Sequence, residues 1–328
     1  MEHKSGFVNI IGNPNVGKST LMNALVGERL SIITPKAQTT RHRIFGILNE
    51  PEYQIVFSDT PGVIQPAYKM QEHMMKCVSD AFEDADVFLY LVEPGDRALK
   101  DEGFFQKLLN TKVPVLLIIN KIDTTNQEKL EEEVAYWTEH LPNAEIIPIS
   151  ALEQANTAYL LDRLIALIPP SPPYFDKDAL TDKTERFFVS EIVREQILLN
   201  YKKEVPYSVE VDVEEFKEAD DIIRIRTVIY VARDTQKGII IGHKGSKLKQ
   251  VGIGARKQLE SFFAKQVHLE TFVKVKKNWR DSDLHLKRFG YKNWLPLSKP
   301  LNPYRCYDSS WLLRYLFLFL PSLKHKIL

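Results

Sequence analysis

Gly12-Asn13-Pro14-Asn15-Val16-Gly17-Lys18-Ser19 decides how the N-terminal half of this chain is read. It follows a short apolar run, Phe7–Ile11, and opens a helix-like stretch from Ser19 to Val26. Strand, glycine-rich turn and helix are the context that the pattern GxxxxGK[ST] requires. The glycines let main-chain N–H groups close around phosphate oxygens, and the helix N-terminus adds positive potential. Lys18 would reach the β- and γ-phosphates, and the Ser19 hydroxyl would ligate Mg²⁺. The expected phosphate-binding set is this octapeptide with Thr20 after it.

Working outward, the strand pattern recurs at Gln54–Phe57, Val87–Val92, Val113–Ile119 and Glu145–Ile149, with helix-length segments between and a closing helix at Ala158–Ile168. This alternation predicts a mostly parallel α/β sheet with helices on both faces. Strands covered on both sides carry continuous apolar runs. Three further elements follow strand ends, where open α/β sheets bind ligands. Asp59-Thr60-Pro61-Gly62 would place Asp59 near Mg²⁺ and the Gly62 N–H at the γ-phosphate. Asn120-Lys121-Ile122-Asp123 would choose the base. The Asp123 carboxylate accepts two hydrogen bonds from guanine N1–H and the exocyclic amine, while the Lys121 stem lies over the ring. Adenine lacks both donors and would leave the carboxylate unpaired. Ser150-Ala151 would meet the guanine O6 through main-chain N–H. The expected ligands are therefore GTP or GDP and Mg²⁺.

In the loop between the first helix and Asp59-Thr60-Pro61-Gly62, Thr40 is the first candidate for closing on Mg²⁺ and the γ-phosphate, and Thr39 the second. The metal set is Ser19, Thr40 and Asp59, and the catalytic set Lys18, Thr40 and Gly62. Val63 stands where a related class of GTPases has a water-orienting Gln. Either hydrolysis is slow or the water is positioned otherwise. Asn15 is a candidate ligand for K⁺ at the phosphates, as related loops of the form GxPNxGKS imply.

Pro169-Pro170-Ser171-Pro172-Pro173 cannot continue helix or sheet and reads as a semi-rigid linker. Beyond it the order is helix (Glu185–Tyr201), strands (Tyr207–Val213, Ile222–Val231), a Gly-bounded loop (Gly238–Gly245), helix (Ser246–Phe263), strand (Val267–Val275) and a short helix (Ser282–Phe289). Gly242-His243-Lys244-Gly245 is a GxxG loop leading into a basic helix with Lys247 and Lys249, the way a KH module clamps single-stranded RNA. Residues 237–291 hold 13 Lys/Arg against 4 Asp/Glu, and residues 1–236 hold 25 against 38. The overall charge of +1 thus hides an acidic front and a basic back suited to a polyanion. The expected domains are 1–170 (GTPase), 171–184 (linker), 185–291 (an α+β type II KH domain) and 292–328, a tail outside both folds.

Cys77 and Cys306 lack the spacing of a zinc site or disulfide framework, favouring a reducing cytoplasm. Neither a secretion signal nor a membrane-spanning run is evident. The chain is expected to be monomeric.

Taken with Lys36-Ala37-Gln38-Thr39-Thr40-Arg41-His42-Arg43, Pro206-Tyr207-Ser208-Val209, Gly252-Ile253-Gly254-Ala255-Arg256-Lys257 and Val273-Lys274-Val275-Lys276 with Trp279, these motifs resemble the Era family of bacterial ribosome-assembly GTPases over roughly residues 5–291. The resemblance implies binding of the 3′ end of 16S ribosomal RNA through the KH domain. It also implies action in assembly of the 30S subunit, with GTP favouring RNA binding, and peripheral association with the cytoplasmic face of the cell membrane. An alternative is an RNA-binding module with a regulatory, catalytically weak GTP-binding domain. The tail Lys292–Leu328 has no counterpart in the family; a translated non-coding extension and a basic, aromatic membrane-surface anchor are its two readings. The base assignment makes one prediction. Asp123→Asn should shift nucleotide preference from GTP to XTP, measured by competition binding, and unchanged GTP affinity would remove Asp123 from the site.

Overall fold

The computed structural model describes residues 2–291, so the tail expectation and Cys306 lie outside the described residues. The N-terminal sheet contains β1 (Lys4–Gly12), β2 (Ile44–Asn49), β3 (Tyr53–Asp59), β4 (Val87–Val92), β5 (Val115–Ile119) and β6 (Ala144–Pro148). Its helices are α1 (Lys18–Val26), α2 (Lys69–Asp84), α3 (Glu102–Leu109), α4 (Gln127–His140) and α5 (Thr157–Leu167). Strand order is β2-β3-β1-β4-β5-β6, parallel throughout except that β2 runs antiparallel to β3. After β1 the chain goes to one side of the sheet, and β4 takes it to the other. The turn after β1 therefore lies at the point where the direction of winding reverses, the expected ligand crevice.

Alternation along β1 feeds two cores. Val8 and Ile10 join Leu21, Met22, Leu160 and Leu164 from α1 and α5. Ile11 joins Met70, Met74, Phe104 and Trp137 from α2, α3 and α4. Both faces of the sheet are thus buried, as continuous apolar runs require. The edge strand β2 was not foreseen. It follows the polar loop 36–43 directly and pairs with β3 through a tight turn in which Glu50 N–H donates to Tyr53 O. Strand β5 begins at Val115 instead of Val113 because Pro114, which has no N–H, precedes the ladder.

The second sheet is β7 (Val209–Glu218), β8 (Ile222–Val231) and β9 (Gln266–Val275), with β8 antiparallel to β7 and parallel to β9. Its helices are α6 (Glu185–Asn200), α7 (Asp234–Ile241), α8 (Ser246–Phe263) and α9 (Asp283–Arg288). One expectation is corrected here. Gly238–Ile241 is the last turn of a helix and not loop, so the loop is confined to Gly242–Gly245 and the order gains a helix. Gln236 caps α7 by accepting from the Ala232 and Arg233 N–H groups, which starts the helix before the glycine.

The proline-rich segment is no free spacer. Ser5 N–H donates to Pro169 O and Ser171 N–H to His3 O. Tyr174, Phe175 and Ala179 then pack on Phe7, Phe45, Ile47 and Val56. The two sheets share one compact unit. Trp279, Leu286 and Tyr291 belong to the same buried cluster as Val63, Met70 and Met74. Trp279 is fully buried and its indole N–H donates to Ser208 O at 3.2 Å. Removing such a side chain costs about 3–5 kcal/mol. Trp279→Ala should lower unfolding free energy by about that amount in urea titration; a loss under about 1 kcal/mol would contradict this packing.

Candidate nucleotide site and its contact with the GxxG domain

The turn after β1 wraps a cleft of about 340 Å³ lined by Pro14, Asn15, Gly17, Lys18, Ser19 and Thr20, by Ile33–Pro35 and Gln38–Thr40, and by Gly62 and Lys121. Two glycines are required by geometry. Gly17 has φ of 100°, and a Cβ there would lie 2.2 Å from Asn120 Nδ2. Gly62 passes so close that a Cβ would sit 2.7 Å from the Pro14 backbone. The motifs are cross-linked through Asn120. Its Nδ2 donates to Val16 O at 2.8 Å, and its Oδ1 accepts from Ala151 N–H at 2.9 Å. The phosphate turn and both base-side loops therefore hang on one buried amide. Ser150 Oγ donates to Asp123 Oδ1 at 2.5 Å, orienting that carboxylate.

Three residues expected around Mg²⁺ come together. Ser19 Oγ donates to Asp59 Oδ2 at 2.7 Å and Thr40 Oγ1 to the same oxygen at 3.2 Å, with the two hydroxyls 3.0 Å apart. Asp59 is fully buried, and Oδ1 makes no hydrogen bond of normal geometry. Burial pushes the Asp59 carboxyl up, against the Ser19 hydrogen bond and the Lys18 charge that hold it down. A buried carboxylate with an orphaned oxygen and two hydroxyls is a hard oxygen donor set, which suits Mg²⁺. Lys18 Nζ donates to Gly12 O at 3.2 Å and Asn13 O at 2.8 Å. Burial lowers this ammonium to about 8, while the Asp59 and Asp96 charges resist the shift.

Other expected residues are placed differently: the Ser150 and Ala151 N–H groups, expected at the guanine O6, donate to Ala155 O and Asn120 Oδ1. Thr60 is buried and its hydroxyl donates to Ile10 O, so its side chain faces away from the cleft. Val16 is in the core, contributing only main chain. The Asn13 amide is bonded to Ala98 O and Lys100 N–H. Pro61 is absent from the lining. Val63 is fully buried, its N–H donating to Gly12 O, and so presents no polar group.

On the second domain, Gly242 (φ 71°), Lys244 (φ 47°) and Gly245 (φ 78°) make a left-handed turn between α7 and α8. His243, Lys244, Lys247 and Lys249 are exposed, and among the described residues these lysines make no ion pair. A Cβ on Gly242 would collide with Lys247 at 2.8 Å, so the turn closes only with glycine there.

The sequence reading missed what joins the two sites. The segment carrying Thr39 and Thr40 lies against the second domain. Lys36 Nζ donates to Leu198 O and Tyr201 O at the end of α6. Arg194 donates to Thr39 O. Arg41, 1% exposed, donates to Val209 O at 2.7 Å and Pro206 O at 3.2 Å and pairs with Glu210 at 3.3 Å. Tyr291 OH closes the group by donating to Glu210 at 2.7 Å. On the other side Tyr68 OH donates to Gln38, and the Arg280 guanidinium lies 4.6 Å over the Tyr68 ring. The signal was the run Lys36–Arg43, whose three basic side chains sit in a loop of an otherwise acidic domain.

Residues 7–121 match the family of 50S ribosome-binding GTPases, and residues 204–280 match the KH domain family. The chain is 44% identical over 291 residues to GTPase Era of Clostridium kluyveri, covering 88% of this chain and 99% of that protein. It is 46% identical to GTPase Era of Geotalea daltonii, covering 88% and 98%. Among solved structures it is similar to Era in complex with MgGDPNP and nucleotides 1506–1542 of 16S ribosomal RNA, at 38% identity and a TM-score of 0.84, covering 88% and 99%. With both halves matched in one order and nearly the full length of each relative covered, the chain belongs to the Era family of GTPases.

Proposed function

We propose that this chain is a GTP-hydrolysing switch that binds the 3′ end of 16S ribosomal RNA through its GxxG domain and acts in assembly of the 30S subunit. The observation that carries this is the position of residues 36–41, with Thr40 on Asp59 and Arg41 inside the second domain. Lys18 binds the β- and γ-phosphates, the Gly62 N–H senses the γ-phosphate, and Asp123 reads the guanine edge beneath Lys121. Ser19, Thr40 and Asp59 hold Mg²⁺, which when bound neutralises charge developing on the phosphates. Asn15, on the cleft wall, is a ligand for K⁺ in this reading. Lys244, Lys247 and Lys249 meet RNA phosphates around the close-approaching glycines. A monomer in the cytoplasm, associating peripherally with the membrane, belongs to the same proposal; among the described residues no helix is long and apolar enough to cross a membrane.

The inward-facing Val63 favours a second reading, an RNA-binding module with a catalytically weak nucleotide domain. Multiple-turnover GTP hydrolysis separates the two. The first reading expects turnover stimulated by an RNA carrying the small-subunit 3′ end and faster in K⁺ than in Na⁺. Single-turnover behaviour unaffected by RNA would favour the second, and equal rates in the two salts would remove Asn15 as a K⁺ ligand.

Lys18 adds a pH dependence. Its ammonium titrates near 8 before ligand binds, and phosphate oxygens stabilise the charged form and raise that value. Binding above this pH therefore takes up a proton. GDP affinity should fall by about tenfold from about pH 7 to about pH 9, one unit of pH past the free value. Calorimetry in buffers of differing ionisation enthalpy would register the uptake. A flat profile, or the same slope in Lys18→Met, would contradict the assignment.

A further inference from the structure

The segment between β4 and α3, residues 93–100, carries no part of the nucleotide motifs, yet it is bonded to both ends of the cleft. At the base end, Glu93 forms an ion pair with Lys121 Nζ. At the phosphate end, Asn13 Nδ2 donates to Ala98 O at 2.9 Å and Lys100 N–H donates to Asn13 Oδ1 at 3.0 Å. The segment is internally tied, because Asp96 N–H donates to Glu93 O and Asp96 Oδ2 accepts from Glu93 N–H. It is also anchored from outside. Arg97 makes two bonds to Glu133 of α4, at 2.5 and 2.9 Å, and Glu133 accepts from Gly95 N–H at 3.0 Å. Tyr136 OH donates to Arg97 O, while the Arg97 guanidinium sits 4.5 Å over the Tyr136 ring.

We propose that Glu93 is a positioning residue for Lys121, and that residues 93–100 form a brace which sets how fast guanine nucleotide leaves the cleft. The proposal rests on the nucleotide assignment above and deepens it. Lys121 has four rotatable bonds, and its stem can cover a guanine ring only in a narrow set of rotamers. A carboxylate at the end of that stem holds it extended before ligand arrives, so less freedom is lost on binding. Asn13 gives the same segment a grip on the phosphate turn. Loosening the brace frees both ends of the nucleotide together, whereas residues 36–41 loosen only the side that faces the second domain.

The test is the dissociation rate of a fluorescent GDP analogue from the full chain, by stopped flow. Glu93 is half-buried at the surface, so Glu93→Gln keeps shape and removes only the charge. It should speed dissociation by about fivefold, the upper scale of a partly exposed ion pair. IDP, which lacks the exocyclic amine read by Asp123, should weaken by the same factor, leaving the GDP-to-IDP affinity ratio unchanged. In a Lys121→Met background, Glu93→Gln should add nothing. Arg97→Met, remote from the ligand, should also speed release. A Glu93→Gln rate within about twofold of the parent overturns the proposal. So does an effect that survives in Lys121→Met, or a collapsed GDP-to-IDP ratio, since each would mean that Glu93 does not act through Lys121. Failure of the parent chain itself to bind the GDP analogue would instead count against the nucleotide assignment.

Discussion

Thr40 and Arg41 are consecutive, and they hold different parts of the molecule. The Thr40 hydroxyl donates to Asp59 beside the phosphate turn, and the Arg41 guanidinium is buried among main-chain carbonyls of the second domain. In an extended stretch neighbouring side chains project to opposite sides, so one short segment can serve two sites. A change at the Asp59 oxygens must move Thr40, and Thr40 cannot move far without pulling on Arg41. A buried guanidinium that loses its partners is costly, which resists intermediate positions. A segment tied at both ends in this way is the kind of element through which a change at one site can reach another.

The same economy holds the nucleotide cleft together. Asn120 bonds the phosphate turn to the loop carrying Ala151, and Ser150 in turn orients Asp123. The phosphate turn and the Asp123 carboxylate are thus held in place by the Asn120 amide and the Ser150 hydroxyl. Most of the cross-links are main-chain to side-chain, and they require small or amide residues at fixed positions. That is why short motifs identify the site so well. The glycines at 17 and 62 mark the places where backbone must pass within contact distance of Asn120 and Pro14.

Much of this was legible in the sequence. Gly12–Ser19, Asp59–Gly62 and Asn120–Asp123 each follow a buried strand, and continuous apolar runs separated by helix-length segments located those strands. The trio Ser19, Thr40 and Asp59 was foreseen from residue type and order. Less visible were features that depend on contacts remote in sequence. Arg41 reads as one basic residue in a polar loop until Val209 and Pro206 are seen beside it. Glu93 follows a strand without any motif, and only the fold puts it against Lys121. Strand β2 was hidden because a polar loop runs straight into it, and α7 because Gly238 resembles loop. Thr60 belongs to a motif, yet its hydroxyl is spent on Ile10, a distinction no pattern carries.

The central claim is that nucleotide state reaches the GxxG domain through residues 36–41. It is tested most directly by the affinity of the full chain for an RNA bearing the small-subunit 3′ end, measured with a non-hydrolysable GTP analogue and with GDP. The account predicts tighter RNA binding with the GTP analogue, and loss of that difference in Arg41→Met. Equal affinities in the two nucleotide states, or an undiminished difference in Arg41→Met, would contradict it.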